Sequence, residues 1–144
     1  VLLDSIQKKT KALGEICAEL NLPNVQVING RAEDVGTRAE YALRFSAVLA
    51  RGVAPLTDLI RWSRPFLSAR VGDSGGAEHL SGRIGVRVLD APCLLAWKGG
   101  DLRDEITRAS NKTQQKMIEV FPLVMEGGQL PGLEGKQLVL VKFE

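Results

Sequence analysis

The chain has 144 residues, 44% hydrophobic and 25% charged, enough to bury the core of one globular domain. Its formal net charge of +2 falls well short of the dense basic footprint that identifies a nucleic-acid-binding protein by itself. No run of about 20 apolar residues suits a membrane-spanning helix and no charged-then-apolar leader opens the chain, so a soluble, intracellular protein is expected.

Val1 is not an initiator methionine, and Val1-Leu2-Leu3 reads at once as a short apolar strand, so the chain is expected to start inside a fold. Leu13, Ile16, Cys17 and Leu20 then follow the i, i+3, i+4, i+7 spacing of a helix face, with Lys8, Lys9, Lys11, Glu15 and Glu19 on the other side. Ser5 is the expected N-cap. Leu22-Pro23-Asn24 breaks this helix, and the β-branched run Val25-Gln26-Val27-Ile28 before Asn29-Gly30 reads as a second strand.

A third strand is expected over Phe45 to Ala50, ending at Arg51-Gly52, followed by a helix from Leu56 to Trp62 that stops before Pro65. Cys93 to Trp97 makes a fourth strand ending at Lys98-Gly99-Gly100, and Leu102 to Gln115 a polar-faced helix. Two more strands, about Met117 to Met125 and Gln137 to Lys142, flank Gly127-Gly128 and Gly132 as a closing hairpin. Strands alternating with helices point to an α/β domain, a mostly parallel sheet with helices on both faces and a C-terminal antiparallel hairpin.

One stretch breaks the rhythm. Between Ser68 and Asp90 lie Gly72, Gly75, Gly76, Gly82 and Gly85, mixed with Asp73, Ser74, Glu78 and Ser81. At this length, beyond the usual limit of about 12–15 residues for a connection, residues 68–90 read as an insertion or long loop. It is either a surface excursion or a loop that contacts RNA or protein. The lone histidine, His79, lies within it, and Cys17 and Cys93 sit in apolar periodic segments as reduced core thiols, so no metal site is expected.

In open α/β sheets ligands bind at the carboxyl ends of the strands, and four such ends carry polar residues. Asp4 ends the first strand, where a carboxylate can accept from two ribose hydroxyls or cap the following helix. Arg31-Ala32-Glu33-Asp34 follow the second, either as backbone facing an adenine edge or as a capped turn. Arg51 ends the third and Lys98 the fourth; cations there suit a cofactor carboxylate or an RNA phosphate, or form surface salt bridges.

Six strings in order resemble one family. Val1-Leu2-Leu3-Asp4-Ser5 with Lys8-Lys9 and Leu13 resembles the second-strand motif of the glucose-inhibited division protein B family, the ribosomal RNA 7-methylguanosine methyltransferases. Asn24-Val25, then Gly30-Arg31-Ala32-Glu33, then Arg44-Phe45 with Ala50-Arg51-Gly52-Val53-Ala54-Pro55-Leu56, fall where that family has similar strings. Ala96-Trp97-Lys98-Gly99 resembles its fourth-strand ending, and Leu130-Pro131-Gly132 with Leu138-Val139-Leu140-Val141-Lys142 its last hairpin. Gly52, Trp97 and Lys136-Gln137 stand where the family more often has other residues.

The resemblance implies a Rossmann-like class I methyltransferase fold, with 1–144 a partial methyltransferase-like domain, since the family's first strand and glycine-rich cofactor loop would precede Val1. It implies S-adenosyl-L-methionine as cofactor and a guanine of small-subunit ribosomal RNA as acceptor. The small ribosomal subunit or an assembly intermediate would be the partner, in the bacterial cytoplasm, mitochondrial matrix or chloroplast stroma. By the same carry-over Asp4 faces the ribose, Ala32 and Glu33 the adenosine end, Arg51 the cofactor-side pocket, and Lys98 a pocket or RNA contact, with no catalytic acid–base residue. The alternatives are an inactive relative that keeps the fold as a module in small-subunit assembly, and a class I methyltransferase acting on a small molecule or protein.

Overall fold

A computed structural model of the chain describes residues 1–68, 92–123 and 135–143. The expected glycine-rich stretch from 69 onward, His79 included, and the connection holding Gly127, Gly128 and Leu130-Pro131-Gly132 lie outside the described residues. The chain divides into two compact units, Val1–Ala42 and Leu43–Glu144.

The first unit runs β1 (Leu2–Asp4), α1 (Gln7–Glu19), β2 (Val27–Asn29) and α2 (Ala32–Val35). β1 and β2 pair in parallel, Leu2 opposite Val27 and Asp4 opposite Asn29. Parallel neighbours need a crossover, and α1 supplies it. The expected apolar face of α1 is helical but only partly covered: Leu13 and Cys17 are half-buried, while Ile16 and Leu20 are 52% and 62% exposed. Two three-residue strands span about 10 Å, and a 13-residue helix about 20 Å, so the strands cannot cover its whole length.

Ser5 does not cap α1. The N-cap residue is Ile6, and no side chain caps the helix. The Ile6 N–H instead donates to Asp4 Oδ1 at 2.8 Å, a local bond that a short carboxylate two residues back reaches more readily than the Ser5 hydroxyl. The short helix α2 was not separately legible, because four residues give less than a period and a half of helix. It packs closely against the preceding turn: a Cβ on Gly30 would stand 2.8 Å from Val35 Cγ2, so that turn admits only glycine without a shift.

The second unit runs β3 (Ala47–Arg51), α3 (Leu56–Ser63), a 3-10 turn (Arg64–Phe66), β4 (Cys93–Gly99), α4 (Arg103–Thr113), β5 (Ile118–Pro122) and β6 (Lys136–Lys142). The sheet order is β3-β4-β6-β5, with β3 and β4 parallel and β6 antiparallel to both of its neighbours. β6 therefore lies between β4 and β5 and completes the antiparallel hairpin expected at the C-terminal end. Period-two alternation puts Val48, Leu94 and Val141 in one cross-strand row and Ala50, Ala96 and Val139 in the next. Those rows meet Leu56, Leu59 and Ile60 of α3 and Ala109 of α4 in one apolar core, in which Leu94 and Ala96 are fully buried. Cys93 is buried, the core position expected of it, and Cys17 half-buried.

Candidate functional site

In the first unit, Asp4 ends β1 and Ala32 and Glu33 open α2, one turn beyond the end of β2, so all three stand at the carboxyl ends of parallel strands. Besides the Ile6 N–H, Asp4 faces Lys9, whose Nζ lies 3.6 Å from Oδ2. The Asp4 backbone carbonyl accepts from the Gly30 N–H at 3.1 Å and from Asn29 Nδ2 at 3.2 Å, which ties the two strand ends together. An ionised carboxylate offers about four acceptor positions, so one N–H and a distant ammonium leave room for a diol. Glu33 is exposed and pairs loosely with Arg31 at 3.7 Å.

In the second unit, Arg51 and Lys98 close the parallel neighbours β3 and β4, and their environments differ. Arg51 is exposed, and its Cζ stands 5.9 Å from the centroid of the Trp97 ring, the residue opposite it in register. Among the described residues no carboxylate pairs with it, so its charge is held by a cation–π contact alone. Lys98 is largely buried, with its side chain 15% exposed. Its Nζ donates to the Ala54 carbonyl and to Glu105 Oε1, both at 2.7 Å. Among the described residues, of these two cations Lys98 alone forms a salt bridge.

Glu105, in the first turn of α4, was not singled out in the sequence. The same Oε1 accepts the Leu56 N–H at 2.7 Å, so the carboxylate supplies from another helix the cap that Pro55 cannot give to α3. Burial pushes the Glu105 carboxyl up, but the hydrogen bonds from Lys98 and Leu56, with the charges of Lys98 and Arg108, outweigh it and hold the group below its usual range. The only sequence signal is an acid seven residues beyond a strand-end lysine, and since one lies in a strand and the other in the next helix, no single period relates them.

Among the described residues no three His, Cys, Asp or Glu side chains gather as metal ligands, and no helix is long and apolar enough to cross a membrane.

The family model for rRNA small subunit methyltransferase G matches residues 1–72, half of the chain. Over 142 residues the chain is 34% identical to the ribosomal RNA small subunit methyltransferase G of Dehalococcoides mccartyi, covering 98% of this chain and 51% of the relative. The Brevibacillus brevis protein of the same name is 32% identical over 133 residues, 89% of this chain and 47% of its own. That of Leuconostoc mesenteroides is 28% identical over 124 residues, 83% and 48% respectively. The chain thus spans about half the length of the curated relatives it matches. It belongs to the rRNA small-subunit methyltransferase G family, the one its ordered strings resemble, and with that family to the Rossmann-like α/β class.

Proposed function

We propose that the protein to which this chain belongs methylates a guanine of small-subunit ribosomal RNA with S-adenosylmethionine as donor, residues 1–144 being part of its methyltransferase domain. One observation carries this reading: within each unit the named residues stand at or near the carboxyl ends of parallel strands, where such sheets bind ligands, Asp4, Ala32 and Glu33 at β1 and β2 of the first and Arg51 and Lys98 at β3 and β4 of the second. The chemistry of Asp4 fits the donor, because its carboxylate keeps acceptor capacity for a ribose diol. The donor would supply a methyl group on a cationic sulfur, which a guanine ring nitrogen takes with its own lone pair as the carbon–sulfur bond breaks.

This chain's residues then bind and orient. Asp4 would hold the ribose, the backbone around Ala32 and Glu33 the adenine edge, and Arg51 an anionic group on the cofactor side. Lys98 spends two of its three donors on Ala54 and Glu105 and keeps one for the pocket or an RNA phosphate. In-line transfer by a nucleophile that brings its own lone pair is governed by positioning and electrostatics, so no general base is needed. Such an enzyme works wherever small ribosomal subunits mature.

Calorimetric titration of the full-length protein with S-adenosylmethionine and S-adenosylhomocysteine tests this. Micromolar binding that weakens about tenfold or more, ~1.4 kcal/mol, in Asp4→Ala and in Arg51→Ala is the expected result. Absence of binding to the folded protein would replace the reading with that of an assembly module on the small subunit.

A further inference from the structure

The loop that leaves β3 has few attachments of its own. Among the described residues no backbone-to-backbone hydrogen bond anchors Gly52, Val53 or Ala54, and Gly52 sits at φ 62°, in the left-handed region. Val53 is exposed. Two side chains from elsewhere fasten the segment instead. Lys98, from the end of β4, holds the Ala54 carbonyl, and Glu105, from α4, holds the Leu56 N–H. The two are joined to each other at 2.7 Å, with side chains 15% and 30% exposed.

We infer that Lys98 and Glu105 work as one clamp that sets the shape of the loop between Arg51 and Leu56, and are thereby positioning residues for the reaction at this edge. The inference rests on the methyltransferase reading above for its reaction, though not for the clamp itself. The pair ends on the two backbone groups that bracket Pro55, the Ala54 carbonyl and the Leu56 N–H, and so fixes the loop on both sides of that residue. Each partner also depends on the other. Glu105 without Lys98 keeps a partly buried negative charge with one N–H, and Lys98 without Glu105 keeps a buried ammonium with one carbonyl. The loop follows directly on Arg51, which closes β3 opposite Trp97 with its guanidinium 5.9 Å from that ring.

The test uses the full-length protein, wild type and the variants Lys98→Met, Glu105→Gln and the double variant. It has two readouts, amide exchange across residues 52–56 and kcat/KM for methylation of small ribosomal subunits. Loss of the clamp is expected to speed exchange of the Leu56 amide tenfold or more while the amides of Leu94 and Val139 in the core stay protected. Each single variant is expected to lower kcat/KM at least tenfold, and the double variant to fall within threefold of the worse single, since the two side chains act as one unit. Faster loop exchange with kcat/KM within threefold of wild type would reduce the pair to a structural tie and overturn the inference. Lower kcat/KM with loop exchange unchanged would overturn it too, and would make Lys98 a direct contact of the reactants. A wild-type protein that transfers no methyl group sinks the reading above, and the exchange arm then still decides whether the pair clamps the loop.

Discussion

The two units of this chain bury their apolar residues to different degrees. In Leu43–Glu144 two helices close over rows of Val, Leu and Ala from a four-stranded sheet, and the resulting core is buried. In Val1–Ala42 the buried apolar side chains are Ile28, Val35 and Tyr41, while Ile6, Ile16, Leu20 and Leu22 remain exposed. The contrast follows from sheet size: a two-stranded parallel sheet of three-residue strands offers too little area to cover one amphipathic helix. Strand count, more than apolar content, decides which unit supplies its own hydrophobic stabilisation.

Substitutions can break or sharpen this contrast. The largest effect is expected at Leu94, which is fully buried: Leu94→Ala should cost about 2–5 kcal/mol in urea unfolding followed by circular dichroism. Gly30→Ala probes the tightest spot of the first unit. The new methyl group meets Val35 Cγ2 and should cost about 1–3 kcal/mol, visible as faster amide exchange in α2 with the second unit unchanged.

Acid should act on the second unit through Glu105. Its carboxyl is held below the ordinary 4.5, so it binds protons less readily when folded than when unfolded. The stability it contributes is complete above that ordinary value and is lost as pH falls through the lowered one. Lys98→Met removes two of the lowering influences, so the carboxylate contributes less stability above its ordinary value and the variant should lose less than the wild type as pH falls. Thermal unfolding midpoints of the two proteins between neutral pH and about pH 3 should therefore converge at the acid end. The smallest effect is expected at Ile16: being half exposed, it should tolerate Ile16→Ala in this chain within about 0.5 kcal/mol by the same urea measurement.

Six strands and three of the helices were legible because each carries a full period of apolar spacing, as Cys93 to Trp97 and Leu56 to Trp62 show. Boundaries moved by at most three residues at the ends, the first strand reaching Asp4 and the fifth stopping at Pro122. What escaped were pieces too short to have a period, α2 and the 3-10 turn at Arg64–Phe66. The placement of β6 between β4 and β5 also escaped, since pairing order leaves no trace in alternation. At the candidate site the strand-end residues were readable from position. Their partners were not: the Asp4 bond to the Ile6 N–H displaced Ser5 as the expected cap, and Glu105 reaches Lys98 and Leu56 across a chain reversal that no spacing rule covers.

The place of β6 also bears on biosynthesis. β4 pairs with β6 along its whole length, yet Lys136 leaves the ribosome 37 residues after Gly99, the end of β4. At about 5–20 residues per second that delay is roughly 2–7 s, during which the most apolar strand of the sheet has one bare edge. A nascent chain stalled within that interval would be the species most exposed to aggregation or to a chaperone.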